Sequence, residues 1–135
     1  MERFTLNENI KVFCVPAKSF PEGVLEAHQK LHGMVPYSQN RRYFGISRPE
    51  DGKIAYKAAA EELIDGELKQ HGLDEFNIGA GEYICIVIKD YMQNIPAIGE
   101  AFNELTSQPD IDPNGYCIEW YLSDKEVKCM VKLKA

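Results

Sequence analysis

Glu119 is a carboxylate in the middle of an otherwise apolar strand, Tyr116-Cys117-Ile118-Glu119-Trp120-Tyr121-Leu122. Alternate side chains of a strand point to opposite faces, so Cys117, Glu119 and Tyr121 share one face while Tyr116, Ile118, Trp120 and Leu122 share the other. If Glu119 is buried, lost hydration raises its pKa, and no arginine stands two residues away to offset that. Periodicity alone leaves two arrangements open. Either Glu119 faces the core, or it faces solvent while Ile118, Trp120 and Leu122 form the core. In a groove of low dielectric a carboxylate attracts an organic cation far more strongly than in water, and each aromatic face adds a cation–π contact of about 0.5–2 kcal/mol. Tyr121 and Cys117 qualify by sharing the face of Glu119. Tyr83, Tyr56 and Tyr43 are further candidate walls among seven tyrosines, each more simply read as ordinary strand packing and Tyr43 as a loop residue.

The elements that must position these residues are written twice. Val24–Leu31 (VLEAHQKL) aligns with Ile98–Leu105 (IGEAFNEL) at an offset of 74, which also sets RYFGIS on YCIEWY and KIAYKAAA on VKCMVKLK. KVFCVPAKSF meets YICIVIKDYM at an offset near 71 or 72. Glu119 therefore falls on Gly45: the cleft between the copies carries its acid on one side. His28 falls on Phe102, and both belong with the cleft candidates. His28 reads either as a second polar group there or as a neutral core histidine with its hydrogen bonds met.

The reading is α+β, two strand-helix-strand-strand units whose strands make one antiparallel sheet with two helices on one face. The first unit spans about 9–61, a glycine-rich connector 62–79, and the second about 80–134, within a single domain of residues 1–135. Ser19 with Glu22 resembles a capping box for the first helix, Pro21 fits its first turn and Gly33 its C-terminal stop. Asn94 and Pro96 mark the start of the second helix. Pro49-Glu50-Asp51-Gly52 signals a hairpin, and a ligand would sit in the groove between the helices.

Composition bounds the function. The chain has 135 residues, is 44% hydrophobic and carries a formal net charge of -6. No run is long enough to span a bilayer and the N-terminus lacks a signal peptide, so the expectation is a cytoplasmic protein. Its only basic cluster is Arg41-Arg42, poor material for gripping phosphates, which argues against direct nucleic-acid binding. Cys14, Cys85, Cys117 and Cys129 sit singly in apolar strands with no metal or redox spacing. His28 and His32 are four apart, but Gln29 stands where a zinc protease needs glutamate, so no metal is expected. Gly79-Ala80-Gly81 precedes a strand instead of following one, the wrong context for a dinucleotide site. No cofactor is implied.

The second half resembles the GyrI-like family, small-molecule-binding domains also found as the effector-binding half of AraC-type and MerR-type transcription regulators. The resemblance rests on Gly81-Glu82-Tyr83 at a strand opening, on Glu119-Trp120-Tyr121 near the C-terminus, and on the duplicated unit, called SHS2. It implies a bacterial, multidrug-binding type of domain in which the glutamate, here Glu119, lies in the pocket and faces lipophilic cations. The two units use all 135 residues, so the expectation is a free-standing binding domain without a DNA-binding helix-turn-helix. Some family members modulate DNA gyrase, and others hydrolyse strained electrophilic molecules with a pocket glutamate and tyrosine. In the latter case Glu119 would be the base and Tyr83 or Tyr121 the acid. Trp120, Ile118 and Leu122 are expected to form an outward apolar patch able to support a homodimer.

Overall fold

Both faces of the inner strands are apolar, and the fold covers both. In the computed structural model, which describes residues 1–135, the order is β1 (Glu2–Leu6), β2 (Ile10–Pro16), α1 (Val24–Met34), β3 (Tyr43–Glu50), β4 (Lys53–Glu61), β5 (Asp74–Ile78), β6 (Gly81–Lys89), α2 (Pro96–Thr106), β7 (Cys117–Tyr121) and β8 (Glu126–Lys132). The eight strands form one antiparallel sheet in the order β1-β6-β8-β7-β3-β4-β2-β5. The α+β, duplicated architecture read from the sequence is the one observed. Half one supplies β3-β4-β2 under α1, half two supplies β7-β8-β6 under α2, and the halves join where β3 pairs with β7.

Along β2, Phe13 and Val15 point to the helix side with Ala58 and Ala60 of β4, where Ala27 and Leu31 of α1 cover them. Half two repeats this with Val127, Cys129 and Val131 of β8 beneath Ala101 and Leu105 of α2. Side chains of the opposite parity, among them Val12, Phe44, Ile118 and Met130, are at most 4% exposed although no helix lies over them. The sheet achieves this by curling into a half-barrel with that face inside.

Two strands lie outside the units read from the sequence. β1 precedes β2 yet pairs with β6, and β5, within the stretch read as a connector, precedes β6 yet pairs with β2. Each half is thus edged by a strand of the other. Both strands are short and mostly polar, with a single well-buried residue each, Leu6 and Ile78, so hydrophobic pattern alone does not announce them.

Helix starts also differ from expectation. Neither helix has a side-chain cap, and α1 begins at Val24 because the chain first makes a tight turn in which the Gly23 amide reaches the Ser19 carbonyl at 3.2 Å. A Cβ at Gly23 would lie 2.8 Å from that carbonyl oxygen, so the turn needs glycine. Gly33 lies inside the helix, and Val35 closes it. The first hairpin is as read: Asp51 and Gly52 take φ of 52° and 78°, the left-handed pair that a two-residue turn requires.

Register also corrects the alignment. Gly45 pairs with Ala58 and Glu119 with Cys129, so across the last strand of each unit the true offset is 71, and Tyr56 corresponds to Val127. The second hairpin turns three residues earlier than its counterpart. Gly45 and Glu119 are partners in the β3–β7 ladder as well as counterparts in the repeat, so the pseudo-twofold axis passes between them.

Candidate functional site

Gly45 clears the space in which the site is built. Tyr56 stands opposite Ser47 on the helix face of the sheet, and its ring lies across Gly45 toward β7. A Cβ at position 45 would come within 2.1 Å of the Tyr56 hydroxyl. With nothing there, that hydroxyl lies 3.2 Å from the hydroxyl of Tyr121, which donates to Glu119 Oε1 at 2.6 Å. On its other side Tyr56 Oη is 2.7 Å from Nε2 of His28, carried by α1. Three elements, α1, β4 and β7, therefore deliver a continuous chain, His28–Tyr56–Tyr121–Glu119.

Counting protons gives this chain a direction. Three hydrogen bonds need three protons. With Glu119 ionised, Tyr121 donates to it, the Tyr56 proton must then serve Tyr121, and His28 must donate from Nε2 to Tyr56. The imidazole is then the Nε2–H tautomer, and burial, followed by the neighbouring His32, pushes it down to about 4, so it is neutral near pH 7. Both alternatives left open for His28 meet here, since it is neutral, hydrogen-bonded and part of the polar chain to Glu119.

Glu119 faces the helix side, at 8% exposure. The inward arrangement is the one the fold adopts. Burial raises its pKa, and the Tyr121 hydrogen bond opposes that only in part. No lysine or arginine forms an ion pair with it; the basic pair Arg41 and Arg42 is taken by Glu67 and Glu61. Its second oxygen, Oε2, accepts nothing from the protein yet is not sealed from solvent, because the one sealed side-chain polar atom without a partner is Arg41 Nε. Burial first, then the Glu119 charge, pushes both tyrosine hydroxyls up, so they act as donors and not as phenolates.

The remaining candidates divide. Cys117 lies on the same face beside Glu119, where burial pushes its thiol up to about 11, unsuited to a nucleophile at neutral pH. Phe102 packs on α2 in the apolar cluster that includes Tyr121. Tyr43 is on the face too, its ring 5.1 Å from His32 and its hydroxyl accepting from the Ser38 amide at 3.1 Å, so it ties down a loop. Tyr83 is not in the site. It is 2% exposed on the inner, opposite face, donating to the Gly79 carbonyl at 2.5 Å, because its parity in β6 sends it away from the helices.

Trp120, Ile118 and Leu122 do not form the outward patch expected of them. Ile118 is 4% exposed, and Trp120 is half-buried between Phe4 and Phe44 with Lys128 and Arg42 over its ring. Curling of the sheet turned that face inward.

Two aromatic residues escaped the sequence reading. Tyr91 lies 5.8 Å from the Tyr121 ring and Phe20 lies 5.8 Å from the Tyr56 ring. They occupy corresponding places after β6 and β2, since Cys85 pairs with Met130 as Cys14 pairs with Ala59, again an offset of 71. That offset applied to Phe20 was the available signal.

No protein-family model and no curated protein matches the sequence. Solved structures do share the fold. An integron cassette protein from the mobile metagenome of Vibrio cholerae superposes with a TM-score of 0.68 at 14% identity, over 98% of this chain and 95% of that one. A hydrolase from Listeria innocua gives 0.57 at 12% identity, over 98% and 90%, and a second Listeria innocua hydrolase gives 0.54 at 11%, over 98% and 91%.

Proposed function

We propose that this chain binds small lipophilic cations in the cleft between α1 and α2, with Glu119 as the counter-charge, as the resemblance to GyrI-like effector-binding domains implies. The observation that carries this reading is a buried carboxylate with one hydrogen bond, no cationic partner and one oxygen left over. Such a group is costly to hold for stability alone, and a ligand cation is the partner it lacks. Aromatic rings of Tyr56, Tyr121, Tyr91 and Phe20 stand around the polar chain to receive the apolar part of a ligand. The test is calorimetric titration with tetraphenylphosphonium and with neutral triphenylphosphine oxide. Glu119→Gln should weaken the first and leave the second unchanged. Equal cation affinity in parent and variant would overturn the reading.

A hydrolytic reading has its own support. Tyr121 already donates to Glu119 at 2.6 Å, and two solved structures of this fold carry the description hydrolase. On this reading Glu119 Oε2 takes a proton from water as it attacks an electrophilic substrate, and a phenol of the chain protonates the leaving atom. Tyr121 fills that role and Tyr83 does not. Turnover of an epoxide or a similarly strained electrophile, lost in Glu119→Gln, would favour hydrolysis over simple binding.

A further inference from the structure

Both ends of the hydrogen-bonded chain are free. Glu119 Oε2 and His28 Nδ1 take no protein partner, and neither is sealed from solvent, while the hydroxyls of Tyr56 and Tyr121 between them are engaged on both sides. The chain thus runs from one free end to the other. A ligand seated on Oε2 covers one of them and leaves the other.

We propose that a cation seated on Glu119 drives a proton out through Tyr121 and Tyr56 to His28, so that the cleft exchanges one positive charge for another. This rests on the cation-binding reading above. With Glu119 protonated, every hydrogen bond runs the other way: the carboxyl donates to Tyr121, Tyr121 to Tyr56, and Tyr56 to His28 Nε2, with the imidazole proton on Nδ1. When the cation arrives, the Glu119 O–H bond breaks and its proton joins Tyr121 Oη. The Tyr121 proton passes to Tyr56 Oη, the Tyr56 proton to His28 Nε2, and the Nδ1 proton leaves to water. The end state has an ionised Glu119 and a neutral Nε2–H imidazole, the directions described above for the ionised carboxylate.

The surroundings suit a conduit. Cys117, Cys129 and Tyr91 face Glu119, with Asp124 beyond Tyr91, and His32 faces His28. None of these is a lysine or arginine that would hold Glu119 ionised before the ligand comes. His28, held neutral by burial, passes the proton on without storing it. In half two the counterparts of Tyr56 and His28 are Val127 and Phe102, so no second path leads out on that side.

Stopped-flow mixing with tetraphenylphosphonium in weakly buffered solution, followed with a pH-indicator dye, tests the exchange. The parent should release up to about one proton per cation, in step with binding. Tyr56→Phe keeps the ring and removes the hydroxyl, and His28→Phe installs the residue of the other half. Each should slow proton release at least about tenfold relative to cation uptake. Release at the parent rate in either variant, or charge-dependent binding with no proton released, overturns the proposal. Should one variant fail to fold, the other decides. Absence of binding, or binding indifferent to Glu119→Gln, instead overturns the cation reading and takes the exchange down with it.

Discussion

Half one and half two share a backbone plan and divide the chemistry between them. Half two supplies Glu119 and Tyr121, where half one has Gly45 and Ser47. Half one supplies Tyr56 and His28, where half two has Val127 and Phe102. The buried anchors are alike, Ala27 and Leu31 in α1 against Ala101 and Leu105 in α2. Packing is therefore kept in common, and the departures from symmetry gather where the halves meet. A repeat alignment is most useful for function at the positions where it fails.

Making the halves more alike should damage the protein in proportion to how much of the polar chain is displaced. The largest effect is expected from Gly45→Val. Its side chain would occupy the space of the Tyr56 hydroxyl, an overpacking cost of about 1–3 kcal/mol or more, read as a lower urea midpoint with an unchanged slope. Cation binding should fall with it. A parent-like midpoint would mean that Tyr56 swings aside freely and that the chain is not fixed by packing.

Glu119→Gln comes next. Loss of the charge should weaken tetraphenylphosphonium binding by about 1–3 kcal/mol, measured by calorimetry. Near neutral pH the variant should melt at the parent temperature or above it, because a buried carboxylate without a cation no longer has to be held. A markedly lower melting temperature would recast Glu119 as a structural residue.

His28→Phe separates two titrations of opposite sign. The His28 folded pKa, about 4, lies below its unfolded value of 6.5, so its contribution is present above 6.5 and lost as pH falls toward 4. Glu119 has a folded pKa above its unfolded value, so its contribution is present at low pH and lost as pH rises through the folded pKa. In Glu119→Gln the acid-side loss from His28, joined by same-signed parts from His32 and Glu67, is no longer opposed, so stability should fall on acidification by about 2–3 kcal/mol between pH 6.5 and 4. In His28→Phe that loss should be much smaller, with the Glu119 titration acting against what remains. Denaturant melts across that range check both, and equal slopes in the two variants would contradict the neutral-histidine assignment.

The smallest response belongs to Trp120. It is the only tryptophan, and it lies on the face away from Glu119, packed against Phe4 and Phe44. Its fluorescence should shift only slightly when a cation binds. Strong quenching would place the ligand inside the half-barrel instead of between the helices.

Much of this was legible beforehand because it obeys local rules. Parity alone separated Glu119 and Tyr121 from Trp120, the Asp51-Gly52 turn announced its hairpin, and the shared Glu-Ala and Leu positions announced the duplicated helices. What parity could not supply was which face turns inward, since that depends on the curl of the whole sheet; the outward patch at Trp120 and the place given to Tyr83 were misread for this reason. β1 and β5 were missed because pairing with the other half, and not an apolar pattern of their own, holds them. Tyr56 was picked out only as an aromatic. That it reaches Tyr121 follows from the register of three strands and the absence of a side chain at Gly45, a relation no single segment contains.

The axis between Gly45 and Glu119 has a consequence for counting. Two identical subunits arranged about a true twofold would place the same residue on both sides of it, either two carboxylates in repulsion or none at all. Covalent linkage of the halves lifts that restriction and allows a lone anionic charge close to the symmetry axis. On the cation-binding proposal the expected stoichiometry is one monovalent cation per chain, held in one orientation, because turning the ligand by half a revolution exchanges His28 for Phe102 and Glu119 for the Tyr56 hydroxyl over Gly45.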